Sequence, residues 1–172
     1  MFSIYWKKFL ILFVLFIFSA FFPGISLSSA TEMVLIPSGD FMMGAEFESD
    51  QSPIHKVFLD SFYIDVYEVT QEDFETVMEY NPSKNKGFSL PVEFVDWFEA
   101  DKYCRKINKR LPSEAEWEKS VRGGRSASRF YWGNTMDGRF SWFKSNSKGK
   151  THPVGTKMPN LYGVHDMSGN VW

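Results

Sequence analysis

Cysteine is almost missing from this chain: 172 residues contain one, Cys104. A lone cysteine has no intrachain partner, so it is either buried and inert or separated from a partner it would otherwise have. Long basic runs are also missing. Lys102, Arg105, Lys106, Lys109 and Arg110 come closest, but acids flank them and the whole chain carries a net charge of −2. That pattern describes a solvated helix face and excludes a nucleic-acid-binding stripe. Histidine is sparse, and the spacing of His55, His152 and His165 forms no helical metal pair of the HExxH kind, so structural histidines are expected. Serine-nucleophile motifs, phosphate-cradling glycine loops, internal repeats and low-complexity tracts are absent. No apolar run reaches the roughly 20 residues needed to span a bilayer as a helix. The longest, Phe9 to Phe22, has 14.

That run has the organisation of an export signal. Lys7 and Lys8 precede it, Pro23 and Gly24 break it, and Ser28 and Ala30 supply the small residues wanted before a cut. Cleavage is expected after Ala30, which divides the chain into a leader over 1–30 and one domain over 31–172. The destination is then periplasmic or extracellular. An uncleaved leader would be the only expected contact with a membrane. No cysteine follows the run, so lipoprotein processing has no acceptor.

The remaining residues are rich in aromatics and long enough for one packed domain. Met33 to Ile36 and Asp40 to Met43 read as strands around the turn residues Pro37-Ser38-Gly39. Ile54 to Leu59 and Phe62 to Tyr67 read as strands joined by Asp60-Ser61, with Phe62, Ile64 and Val66 on one buried face. Helices follow. Thr70 with Asp73 signals a cap ahead of Phe74, Val77 and Met78, and Asn81-Pro82 is the expected stop. Asp96 with Glu99 opens a second helix, whose apolar face is expected to hold Trp97, Ala100, Cys104 and Ile107. Ser113 with Glu116 opens a third, which Gly123-Gly124 ends. Beyond Arg125 periodicity fades and Tyr, Trp, Gly, Asn and Pro dominate. Such loops need side-chain bonds, metal ions or aromatic packing to hold one shape. The class is α+β with much irregular structure.

Several segments, in order, resemble one family. Ile36-Pro37-Ser38-Gly39-Asp40-Phe41-Met42-Met43-Gly44 is similar to its first hairpin. Phe62-Tyr63-Ile64-Asp65, Glu68-Val69-Thr70, Pro91-Val92 and Val95-Asp96-Trp97 follow. Arg110-Leu111-Pro112-Ser113-Glu114-Ala115-Glu116-Trp117-Glu118 is the most telling run, with Arg122-Gly123-Gly124 after it. Tyr131-Trp132-Gly133-Asn134, Pro153-Val154-Gly155, Asp166-Met167 and Gly169-Asn170-Val171-Trp172 complete the set. Together they resemble the formylglycine-generating, or sulfatase-modifying-factor, family, in its exported bacterial form. The resemblance implies that family's fold, an asymmetric C-type-lectin-like α+β domain low in regular secondary structure. It also implies a chemistry: oxygen-dependent oxidation of a sulfatase cysteine to formylglycine, on monovalent copper held by two thiolates, in loops organised by calcium. The expected partner is a sulfatase or another exported protein, and no nucleic acid.

The resemblance also implies what this chain is without. The family's catalytic cysteines lie beyond the motif that contains Trp172, so the fold is expected to be incomplete at its C-terminal side. A fragment, an interrupted copy and a degenerate paralogue would all look this way. The family cysteine at the position of Cys104 commonly pairs with a residue near the C-terminus, which this chain does not contain. No catalytic residue is therefore expected, and copper has no ligand pair. Asp166, Gly169 and Val171 match a family calcium site, as one side-chain oxygen and two backbone carbonyls; the family's glutamate two residues past Val171 is not in this sequence, so the site is expected to be incomplete. The family's second calcium site depends on residues that Phe140-Ser141-Trp142 replace, and is not expected. Glu114, Glu116, Glu118 and Arg110 read as cap and ion-pair groups, and Tyr131, Trp132 and Trp142 as packing. Two rival functions remain open: a non-catalytic lectin-like or protein-binding domain, and an exported pyoverdine-maturation-type member.

Overall fold

The computed structural model describes residues 32–46, 51–125 and 128–171. The expected leader and its cleavage point after Ala30 lie outside the described residues. No helix among the described residues is long and apolar enough to cross a membrane.

Four strands form two small antiparallel sheets: β1 (Met33–Ile36), β2 (Gly39–Met43), β3 (His55–Leu59) and β4 (Phe62–Asp65). β1 pairs with β4 and β2 with β3. This corrects the expected first hairpin. Pro37-Ser38-Gly39 does not fold β2 back onto β1; it passes the chain from one sheet to the other, and Asp60-Ser61 returns it. In the β1–β4 register Val34 faces Ile64 and Ile36 faces Phe62. On β4 Phe62 and Ile64 are half-buried and Tyr63 between them is exposed, while Val66 just beyond the strand is buried. The expected alternation on β4 therefore holds, although regular pairing stops at Asp65.

Three helices follow: α1 (Gln71–Met78), α2 (Trp97–Lys106) and α3 (Glu114–Arg122). Each begins where its capping residue predicts. Thr70 accepts from the Asp73 amide, and Asp96 and Ser113 form reciprocal capping boxes with Glu99 and Glu116. α3 ends on Gly123, whose φ of 56° suits a residue without Cβ. α1 ends earlier than Asn81-Pro82 suggests: Glu79 takes a left-handed φ of 69° and its amide bonds the Glu75 carbonyl.

The core lies between α1 and α2. Phe74 stacks on Tyr103 at 5.4 Å and meets Tyr80 edge-on at 5.6 Å. Met78 completes the cluster, with Val69, Val92, Val95, Cys104 and Ile107 packed around it. Here the apolar face expected of α2 needs correction. Trp97 sits in the first turn and is 62% exposed; Tyr103 is the residue that α2 buries. Trp97 and Phe98 both stay exposed in the first turn of α2, so the apolar periodicity overruns the core by one turn. α3 lies against β2 and β3. Its Lys119 donates to the carbonyls of Pro37 and Gly39, and Glu118 accepts from the Gly44 amide.

Beyond Arg122 no helix or strand occurs among the described residues. Aromatic stacking organises the chain there instead. Phe130, Trp132 and Phe140 form a parallel stack with centroid spacings of 4.8 and 5.3 Å. Arg129 lies over Phe130 and Arg139 over Phe140, while buried Tyr131 meets Trp132 and Phe140 edge-on and donates to the Met158 carbonyl. Each such pair contributes about 0.5–1.5 kcal/mol beyond simple burial.

Candidate functional site

The loop over 163–171 is tied to the rest of the fold at both ends. At one end the His165 amide donates to the Val66 carbonyl at 2.9 Å, and the His165 ring lies against Tyr67. At the other, the Asn170 amide donates to the Trp142 carbonyl at 3.1 Å. Trp142 is itself fixed, with the His152 ring stacked 3.7 Å from one face, the Lys157 ammonium over the ring at 3.6 Å, and Nε1 donating to Thr156. Gly169 is pressed against this support. A Cβ there would stand 2.1 Å from the Trp142 carbonyl oxygen and 2.4 Å from Ser141 Oγ, so no larger residue fits without moving backbone.

Asp166 begins the turn with φ of 56° and is 4% exposed. Its Oδ2 accepts from the Gly155 amide at 2.6 Å. Its Oδ1 is buried and has no hydrogen-bond partner. An orphaned carboxylate oxygen in the interior is costly, and a bound cation is one way to satisfy it. Burial raises the Asp166 carboxyl above the usual range; the Gly155 amide and the charges of His165 and Lys157 oppose that.

Glu68, in the connection from β4 to α1, reaches the same place. Its Oε2 accepts from Asn170 Nδ2 at 2.7 Å, and its Oε1 accepts from the Val171 amide at 3.4 Å. Burial pushes its carboxyl up to about 8; the Asn170 bond opposes this, Asp166 adds to it by like-charge repulsion, and the Val171 amide opposes it weakly. Asn170 locks the arrangement, because its Oδ1 accepts from the His152 amide and its Nδ2 also donates to the His152 carbonyl.

The three expected metal-site residues, Asp166, Gly169 and Val171, thus fall on one loop. The free Asp166 oxygen fits a hard cation, and backbone carbonyls at Gly169 and Val171 are ligands of the same class. Among the described residues no three His, Cys, Asp or Glu side chains gather as a metal centre. The acids here are two, Asp166 and Glu68. Sequence reasoning quoted Glu68 only as part of a motif. Asn170, to which Glu68 is bonded, lies 102 positions away, and no local pattern reports such a contact.

The site opens on a cleft of about 1730 Å³, lined by residues of β4, α3 and the loops on either side, Tyr63, Tyr67, Trp117, Trp142 and Val171 among them. Cys104 also reaches its wall. This thiol is half-buried, and burial raises it above its ordinary range, with Asp65 and Asp101 adding to the effect. A single thiol held protonated does not fit a copper centre of two thiolates.

The remaining candidates are structural. His55, His152 and His165 bond the carbonyls of Pro53, Ser147 and Lys157. Arg110 grips Glu116 through both oxygens at 2.6 and 2.7 Å, and Glu118 pairs with Arg122.

Comparison with known proteins accords with the fold. The solved structure of Treponema denticola variable protein 1 superposes with a TM-score of 0.73 at 27% identity, covering 80% of this chain and 69% of that one. Serine/threonine-protein kinase pkn1 of Chlamydia pneumoniae is 35% identical over 170 residues, which is 83% of this chain and 27% of the kinase. Formylglycine-generating enzyme of Mus musculus is 28% identical over 211 residues, covering 83% of this chain and 57% of the enzyme. The chain therefore spans about a quarter of one of these curated relatives and somewhat over half of the other. Residues 22–172 match the family described as the sulfatase-modifying factor enzyme 1-like domain. With that match and the α+β fold low in regular structure, the chain belongs to the sulfatase-modifying factor enzyme 1-like family, the family of the formylglycine-generating enzymes.

Proposed function

We propose that these 172 residues act as a calcium-organised polypeptide-binding domain of the formylglycine-generating type, and that they do not themselves oxidise cysteine. The observation that carries this reading is the state of the only thiol. Cys104 is half-buried on α2 beside the Phe74–Tyr103 core, and burial disfavours its thiolate. Copper chemistry of the family's kind needs two thiolates and room for the substrate's sulfur. One inward thiol supplies neither.

Calcium is the cofactor of this proposal, bound by Asp166 Oδ1 and the carbonyls of Gly169 and Val171. Its chemistry is to hold the 163–171 loop against Trp142, which forms part of the cleft wall. An extended segment of an exported protein, of the sulfatase type, is the proposed occupant. The aromatic lining and the cleft volume of about 1730 Å³ favour a polypeptide over a small solute. The same family domain occurs within a relative named as a protein kinase, which favours a binding role separable from one chemistry. Export follows from the leader over 1–30, with the mature protein beginning at Thr31.

The assay incubates purified chain with monovalent copper, oxygen and a peptide bearing a sulfatase cysteine motif. Binding is read by fluorescence anisotropy and oxidation by mass spectrometry. Saturable binding without aldehyde is expected. Turnover that survives Cys104→Ser would overturn the non-catalytic reading, and absence of binding would overturn the polypeptide-binding one. N-terminal sequencing of secreted material tests export, for which an intact Met1 in a membrane fraction is the contrary result.

A further inference from the structure

Helix α2 turns Tyr103, Cys104 and Ile107 toward the core it shares with α1. At about 100° of rotation per residue, its opposite face carries Phe98, Asp101, Lys102 and Arg105. Phe94 stands just ahead of the helix. Phe98 is 75% exposed and Phe94 70%, and Trp97 meets Phe98 edge-on at 5.4 Å. None of these side chains lines the cleft. We propose that this face of α2 docks a second copy of the chain, laid antiparallel about a two-fold axis between Asp101 and Lys102.

Two observations carry it. The first is apolar exposure in one place. Phe94, Trp97 and Phe98 together present about 400 Å² of aromatic surface per copy, enough to mark an interaction surface. Two copies, with the stems of Lys102 and Arg105, supply the area of a weak, reversible dimer. Phe94 also has a φ of 60°, which is strained for a bulky residue. An exposed and strained aromatic gains nothing within a single copy. The second is charge. Asp96, Glu99 and Asp101 occupy the start of this segment, and Lys102, Arg105 and Lys106 its end. Three acids followed by three bases are self-complementary only when the copy runs antiparallel. Phe98 and Arg105 lie on one stripe, about 10.5 Å apart along the helix. A two-fold axis midway sets Phe98 against the second copy's Arg105, and Asp101 against its Lys102. Arg105 is 74% exposed and uses only Nε on its own Asp101, so its guanidinium has donors and a face to offer a ring. An anionic lipid surface fits less well, because the aromatics sit at the acidic end.

The test is self-association of the purified full chain, read by sedimentation equilibrium over a range of concentrations. Wild type is expected to dimerise reversibly. Phe98→Ser should weaken the dimer about 10-fold or more and leave the monomer's thermal melt unchanged. Lys102→Glu and Asp101→Lys should each weaken it about 10-fold, because symmetry counts each contact twice. An equimolar mixture of those two variants restores both charge pairs, and should associate within about threefold of wild type. Chain that stays monomeric up to about 1 mM overturns the proposal. So does a Phe98→Ser dimer of wild-type strength, or a mixture no tighter than its components. Monomeric chain that sediments with phosphatidylcholine vesicles, and loses this in Phe98→Ser, overturns it in favour of a lipid surface. Should Phe98→Ser fail to fold, Phe94→Gly decides. It relieves the left-handed φ, so its monomer should melt no lower than wild type, and undiminished association overturns the claim.

Discussion

Acid should unfold this protein partly through one residue, Glu116. Its carboxylate accepts both nitrogens of the Arg110 guanidinium and the Ser113 amide that opens α3. The Arg110 bonds hold its carboxyl down to about 2 from 4.5, with burial opposing and the Ser113 bonds helping. A folded-state pKa below the unfolded one contributes stability that is complete above about pH 4.5 and is lost as pH falls toward 2. The unscreened shift corresponds to about 3.4 kcal/mol at 1.36 kcal/mol per unit. Solvent reduces it. The Arg110 side chain is 66% exposed and Glu116 12%, so the ion-pair part is worth ~1 kcal/mol and the cap bonds about another 1 kcal/mol. Glu116→Gln should therefore cost about 2 kcal/mol at pH 7 and much less at pH 2, where wild type has lost the same contribution. Urea denaturation of both proteins at pH 7, 5, 4 and 3 reads this as two stability curves converging below pH 4.5. Curves that stay parallel down to pH 3 would refute the assignment of the acid limb to Glu116.

Two further substitutions probe the frame around the site. Phe74→Ala removes the ring between Tyr80 and Tyr103 and should cost about 3–5 kcal/mol, measured by chemical denaturation; a loss below about 1 kcal/mol would mean that the α1–α2 cluster is not the main core. Gly169→Ala drives a Cβ into the Trp142 carbonyl and Ser141 Oγ. It should destabilise by about 3 kcal/mol and weaken Ca2+ binding in calorimetry, since Asn170 bonds that same carbonyl; unchanged affinity would show that the loop does not depend on the Trp142 support.

Elements whose cause is local were legible in the sequence. Thr70, Asp96 and Ser113 each carry an oxygen that can bond an amide three residues on, and all three helices begin beside them. The buried alternation on β4 and the left-handed end of α3 at Gly123 have the same local origin. The order of motifs was enough to assign the family. Other features required partners distant in the chain. Whether Pro37-Ser38-Gly39 closes a hairpin or passes between sheets depends on β3 and β4, and pairing decided for the second. The end of α1 at Glu79 and the exposure of Trp97 depend on what packs beside those turns. Of the candidate site, Asp166, Gly169 and Val171 were proposed from the sequence because their run resembles a motif of the family. Glu68 was not, because its bonds to Asn170 and Val171 join segments 102 and 103 positions apart. By itself the sequence determined the helix starts and the alternating face of β4, which follow from chemistry within a few residues, and the family, which follows from the order of motifs along the chain. Only the tertiary structure decided which strands pair, which aromatics are covered, and that Glu68 meets the Asp166 loop, because desolvation and charge proximity exist only once distant segments have been brought together.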